Sequence, residues 1–271
     1  MTLTREDVGI ALCLIGLLIF AGCSRGAVEL SGPVHLKVTG STSMQPLVEE
    51  LAQAYAERHK QATITVEGRG SLQGIELVRQ GKVDIGMASS WKEPQDTSLW
   101  STPIALDGIA IVVHPQNRVE GLTMLQLKDV FFGRTWDWRD ARGKSGEILV
   151  VSREDGSGTR AVFEELVMQG QRVTLTAVVM PSSRAVVEYV AEHPQAIGYV
   201  SMGQLAQEVK VLEIEEAAPT PDSVRQGEYH LLCPLFLITR QEPTGAIKGF
   251  VDFVLSPTGQ SIVGRKYGRV Q

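Results

Sequence analysis

VHLKVTGSTSMQPLVEELAQAYAERHKQATITV, residues 34–66, runs from a short apolar strand through a hydroxyl-rich turn into a long helical period and back into a strand. VHLKV and TITV show the alternation of a pleated strand, and the residues from 46 to about 59 show the three-to-four spacing of a helix with one apolar face. A strand, a helix and a strand in so short a span predict an α/β fold, in which helices cover the faces of a largely parallel sheet.

The same alternation continues downstream. A helix is expected at 72–80, a strand at 83–87 and a buried strand at 108–113, enough for one lobe. A helix at 125–131, a polar loop to Gly146, a strand at 148–151 and a helix opening near Thr159 then start the pattern again, as a second lobe would. A strand at 196–200 precedes an acidic, proline-bearing stretch at 213–222. A strand at 231–239 and a helical pair at 246–255 and 257–266 close the chain. The expected division is one lobe from 34–110 with 234–271 and another from 111–233, with no internal repeat.

Upstream, residues 8–20 (VGIALCLIGLLIF) are apolar without interruption and follow Arg5. The run is shorter than the ~20 apolar residues a bilayer span requires, so residues 1–22 are read as a signal peptide rather than a permanent anchor. Phe20-Ala21-Gly22-Cys23 resembles the lipobox of bacterial lipoproteins. The resemblance implies acylation at Cys23, with 23–33 as lipid attachment and linker, and residence in the periplasm or cell envelope on a membrane. Cys13 would leave with the signal and Cys233 would remain alone as a small buried hydrophobe, so no disulfide framework is expected.

The whole chain has 271 residues, is 43% hydrophobic and 21% charged, and carries a formal charge of −5. That composition allows a substantial core, and the acidic balance excludes a nucleic-acid binder because no basic stripe exists to neutralise a phosphate backbone. An anionic ligand would have to be held by local donors. Three loops offer them, each leading from a strand into a helix: Thr39-Gly40-Ser41-Thr42-Ser43, Gly68-Arg69-Gly70-Ser71, and Arg153-Glu154-Asp155-Gly156-Ser157-Gly158-Thr159. Helix N-termini present unpaired N–H groups and a partial positive charge, and hydroxyls add donors. The alternative for each loop is that Ser and Thr merely cap the helices. Arg153 beside the third loop adds a planar fork of donors suited to a tetrahedral oxyanion.

TGSTSMQPL (39–47), GRGSLQG (68–74), VDIGMASS (83–90), LKDVFFGRTWDW (127–138), SREDGSGTR (152–160), IGYVS (197–201) and FVDFVLSPTGQ (250–260) together resemble the phosphate-binding proteins of bacterial phosphate ABC importers, in that family's order. The resemblance implies a two-lobed periplasmic-binding-protein-like fold of type II, with crossing hinge strands and closure on the ligand. It implies donors from Thr42, Ser43 and Ser71 on the first lobe, and from Arg153, Ser157, Gly158 and Thr159 on the second. It further implies a non-enzymatic, monomeric solute-binding subunit without cofactor or metal, whose partners are inorganic phosphate and ABC permease subunits. Ser89 stands where many phosphate binders place an aspartate, which leaves sulfate, molybdate or tungstate open as ligands. Arg69 stands where glycine is commoner and is expected to point to solvent.

Rival motifs fail on their chemistry. Gly143-Lys144-Ser145 ends like a P-loop, but Trp138 replaces the glycine required upstream. The histidines at 35, 59, 114, 193 and 230 have no metal-ligand spacing, and no nucleophile with a base emerges for a phosphatase. Trp136 and Trp138 read as loop and core packing. A phosphate-sensing lipoprotein on the same fold remains a second class of function.

Overall fold

The computed structural model describes residues 33–90 and 98–270; the expected signal peptide and Cys23 lie outside the described residues. In chain order the elements are β1 (Val34–Gly40), α1 (Gln45–Arg58), β2 (Ala62–Gly68), α2 (Ser71–Arg79), β3 (Ile85–Ala88) and β4 (Trp100–Val113). They continue with β5 (Gly121–Leu122), α3 (Met124–Phe132), β6 (Leu149–Arg153), α4 (Gly158–Leu166), β7 (Val178–Met180), α5 (Ser183–Glu192) and β8 (Ala196–Ser201). The last are β9 (Lys210–Ile214), α6 (Pro221–Gln226), β10 (Leu232–Thr239), α7 (Gly245–Leu255) and α8 (Pro257–Val263).

The α/β fold expected from residues 34–66 is the one observed, and the first helices lie within one residue of their predicted bounds. The departures have physical causes. The strand expected at 108–113 is the second half of β4, whose first half carries Pro103 and Asp107 and so breaks the apolar run that marks a buried strand. The acidic stretch at 213–222 contains the end of β9 and the start of α6, where Thr220 forms a capping box with Ser223. The last helix stops at Val263 rather than 266, and β5, β7 and α5 add to the expected elements.

The sheet runs β2-β1-β3-β10-β4-β8-β6-β7, with β9 pairing β4 and β5. Two parallel groups result: β1 with β2 and β3, and β6 with β7 and β8. Antiparallel β10 and β4 join them. β4 changes partner along its length, pairing β10 up to Gly108 and β8 from Ile109 onward. This is the crossing connection of a two-lobed architecture. In parallel strands every carboxyl end points the same way, so each group delivers its strand-to-helix loops to one edge.

Both groups are backed by aromatic packing. Tyr55 of α1 meets Phe250 and Phe253 of α7 edge-on at 5.5 Å each. Phe163 of α4 stacks on Tyr199 of β8 at 4.1 Å and meets Phe131 of α3 at 4.7 Å. Each such buried ring contributes about 1.5–3 kcal/mol, which fixes α4 and β8 on β6, the strand that ends in Arg153.

Candidate functional site

The carboxyl ends of β1, β2, β3, β6, β7 and β8 converge. After β1, Ser41 Oγ lies 2.8 Å from Ser43 Oγ and 3.0 Å from Ser89 Oγ, which follows β3. Ser89 Oγ lies 3.3 Å from Ser71 Oγ at the start of α2, and the Ser89 amide donates to Ser71 Oγ at 3.2 Å. All of these serines are buried, at 4% exposure or less. The result is a continuous neutral cluster of hydroxyls, each able to donate or accept.

Capping does not account for these hydroxyls. α1 is preceded by Met44 and α2 by Gly70, and neither helix receives a side-chain cap. Gly70 has φ +98°, a conformation that favours glycine and turns the chain so that Ser71 faces the cluster. Ser157 behaves differently, because its Oγ accepts the Arg160 amide at 3.3 Å and caps α4. The capping alternative therefore holds for the third loop and fails for the first two.

Arg153 ends β6 with 2% of its surface exposed. Nε and Nη2 donate to the two carboxylate oxygens of Glu154 at 2.8 Å each. Nη1 donates to Ser183 Oγ at 3.0 Å, and Nη2 also donates to Thr42 Oγ1 at 3.0 Å. The backbone is held as well, since the Arg153 amide donates to Tyr199 Oη at 3.3 Å and its carbonyl accepts Arg160 Nη1 at 2.8 Å. Burial raises the Tyr199 phenol to about 12, so it stays protonated and neutral. A buried cation is costly unless paired, and Glu154 meets that requirement while leaving the guanidinium edge directed at Thr42.

The two sides of the cleft touch. Leu72 N donates to Gly156 O at 3.3 Å, Gln204 Nε2 donates to Ser43 O at 3.0 Å, and Arg153 reaches Thr42. A Cβ on Gly158 would lie 2.5 Å from both Ser71 Oγ and Ser89 Oγ, so the first residue of α4 must be glycine for this approach. Thr42, Ser43, Ser71, Ser89, Arg153, Ser157, Gly158 and Thr159 are thus brought together, with Ser157 and Thr159 buried on either side of Gly158. Sequence reasoning missed Ser183 and Gln204. Neither sits in a glycine-rich loop, and each reaches the site only through the folding of β7 and β8. Ser41 belongs to the same hydroxyl-rich loop as Thr42 and Ser43, where nothing local sets it apart from them.

Several other readings find their place. Arg69 pairs with Glu67 at 2.7 Å among half-exposed side chains, away in solvent as expected. Trp136 is exposed, and Trp138 is buried with Nε1 donating to Gln195 O at 3.1 Å. Cys233 is buried and its thiol donates to Ser89 O at 2.8 Å. Among the described residues, no group of three or more His, Cys, Asp or Glu is arranged to hold a metal, and no helix is long and apolar enough to cross a membrane.

The PBP superfamily domain profile matches residues 27–258. The phosphate-binding protein PstS of Bacillus subtilis (strain 168) is 31% identical over 252 residues, covering 91% of this chain and 83% of that one. The protein of the same name from Staphylococcus saprophyticus is 30% identical over 268 residues, covering 90% and 83%. A Clostridium perfringens crystal structure with bound phosphate superposes with a TM-score of 0.84 at 33% identity, covering 88% of this chain and 100% of that one. An ABC-type phosphate transport receptor from Vibrio cholerae gives 0.72 at 31% identity, covering 86% and 99%. With matches of this extent along nearly the whole described fold, the chain belongs to the PBP superfamily and, within it, to the phosphate-binding proteins of bacterial phosphate ABC importers.

Proposed function

We propose that this chain captures inorganic phosphate between its two lobes and delivers it to the permease subunits of an ABC importer. The observation that carries this reading is the pairing of a buried guanidinium with a neutral, uncapped hydroxyl cluster. An oxyanion entering the cleft loses its hydration shell and must recover those hydrogen bonds from the protein. Thr42, Ser43, Ser71 and Ser89 supply them from one side, and Arg153, Ser157, Gly158 and Thr159 from the other. Hydrogen bonds to a charged group contribute about 1.5–3 kcal/mol each. Micromolar capture needs about 8 kcal/mol, so a handful of such bonds suffices after closure is offset.

Lobe boundaries at 110/111 and 233/234 belong to this reading, as does a monomer held to a membrane by a lipid on Cys23. In this reading the chain acts as a carrier, its site offering hydrogen-bond donors to an anion.

Ser89 supports a second reading of the ligand. Its hydroxyl can accept the proton of a protonated phosphate or donate to a fully ionised oxyanion, and the carboxylate nearest Arg153, Glu154, is engaged by it. Sulfate, molybdate or tungstate would meet the same donors. Calorimetry of the mature protein against phosphate, sulfate, molybdate and tungstate tests both readings. Phosphate should bind at about micromolar affinity or tighter. Tighter binding of another anion would reassign the ligand, and no heat with any of them would end the oxyanion reading.

A further inference from the structure

One buried ionisable group in the centre of the molecule takes no part in holding the ligand. Asp107 is 1% exposed and lies on β4 opposite Cys233 of β10, two residues before Ile109, where the strand begins to pair β8. Its Oδ1 accepts the Met202 amide at 3.1 Å. Oδ2 makes no hydrogen bond of good geometry, and Ser201 Oγ, likewise unpaired by geometry, lies close enough to favour the charged form without securing it. A carboxylate buried with an orphaned oxygen is expensive to keep ionised.

Its neighbours connect it to both sides of the cleft. Met202 begins the 3₁₀ turn Met202–Gln204, and Gln204 Nε2 crosses to Ser43 O. Cys233, the cross-strand partner of Asp107, donates its thiol to Ser89 O. The Tyr267 phenol packs against Gly203 in the same turn, and Tyr229 Oη donates to Ile109 O at 2.7 Å.

We propose that Asp107 is a positioning residue for cleft closure: the dry β4–β8 junction accommodates it protonated, and once ionised its burial cost outweighs the stronger bond to the Met202 amide, draws water in and loosens the turn that carries Gln204 to Ser43. The proposal rests on the reading of the cleft as a phosphate site. The groups facing Asp107 are Ser201, the Met202 and Gly108 amides, Tyr229, Cys233 and Tyr267; no cation acts on it among the described residues. Burial raises its carboxyl to about 7 in this closed arrangement, against an ordinary 3.8, while Ser201 and the two amides lower it. Burial also pushes up the tyrosines and the thiol, with Asp107 adding to the effect, so they stay neutral through the same range.

The closed arrangement holds the proton more tightly than an opened, hydrated one. Closure is therefore favoured at low pH, weakens as pH rises from the ordinary carboxylate range towards about 7, and levels off above it.

The test compares phosphate affinity of the mature protein with that of Asp107→Asn by calorimetry from about pH 5 to about pH 8. The ionisation of phosphate and of every other group is common to both proteins and cancels in the ratio. We expect wild type to lose affinity relative to the variant by about threefold or more across that range and then to level off. A ratio constant within about twofold overturns the proposal while leaving phosphate capture intact, whereas absence of binding by wild type at every pH overturns both. Infrared difference spectra of wild type, phosphate-saturated minus phosphate-free near pH 6, decide the matter should the variant not fold. A gain in the carbonyl stretch of a protonated carboxyl supports the proposal, and no such band sinks it.

Discussion

The two sides of the cleft solve the same problem with opposite chemistry. On the side of β1, β2 and β3, Ser41, Ser43, Ser71 and Ser89 bond to one another and carry no charge. On the side of β6, β7 and β8, Arg153 carries the charge and is clamped by Glu154, Ser183 and Thr42. A neutral hydroxyl network can rotate its protons to suit an arriving anion at little cost, whereas a guanidinium helps most when its orientation is set beforehand. One side adapts and the other aims, and closure through Gly158 brings the two into register.

The sharpest way to break this arrangement is Arg153→Ala. It removes the cation and leaves the Glu154 carboxylate facing the ligand without a partner, so affinity for phosphate should fall by about a hundredfold or more, on the scale of 2–5 kcal/mol seen when half of a buried charge pair is truncated. Calorimetry measures the loss, and far-ultraviolet circular dichroism should show the fold unchanged. An affinity within about threefold of wild type would remove Arg153 from the site.

Gly158→Ala tests whether the sides must meet. The added methyl would press on Ser71 Oγ and Ser89 Oγ, so the cleft should stop short of full closure and affinity should drop by about tenfold. Thermal stability of the ligand-free protein should change less than the affinity does. Equal losses in both would mean that the glycine serves packing alone.

Ser157→Ala gives the smallest effect, because this hydroxyl serves chiefly as a helix cap and only secondarily as a donor to the ligand. Because Ser157 Oγ already accepts the Arg160 amide, its loss should cost about 1 kcal/mol of stability by chemical denaturation. Ser71→Ala removes no cap and should instead weaken phosphate binding. If Ser157→Ala reduced affinity more than Ser71→Ala, the assignment of hydroxyls to the two sides would be reversed.

Much of this was legible along the chain. The strand, turn and helix of residues 34–66 show their periods in contiguous residues, because side-chain spacing on a helix or strand is a local property. The hydroxyl loops and Arg153 were visible for the same reason, each being a short run at the start of a helix. Tertiary structure alone decided which hydroxyls are caps, since Ser157 and Ser71 each follow a glycine in similar runs, yet Ser157 precedes its helix and caps it while Ser71 opens its helix and meets Ser89. It alone brought Ser183 and Gln204 to a site whose other members lie in distant loops, because the sheet order β2-β1-β3-β10-β4-β8-β6-β7 sets those neighbours and no local pattern encodes it. Asp107 shows the limit most clearly. In the sequence it is one acid just before the strand expected at 108–113, and only the crossing of β4 between β10 and β8 buries it, leaves Oδ2 without a bond of good geometry and gives its proton a consequence.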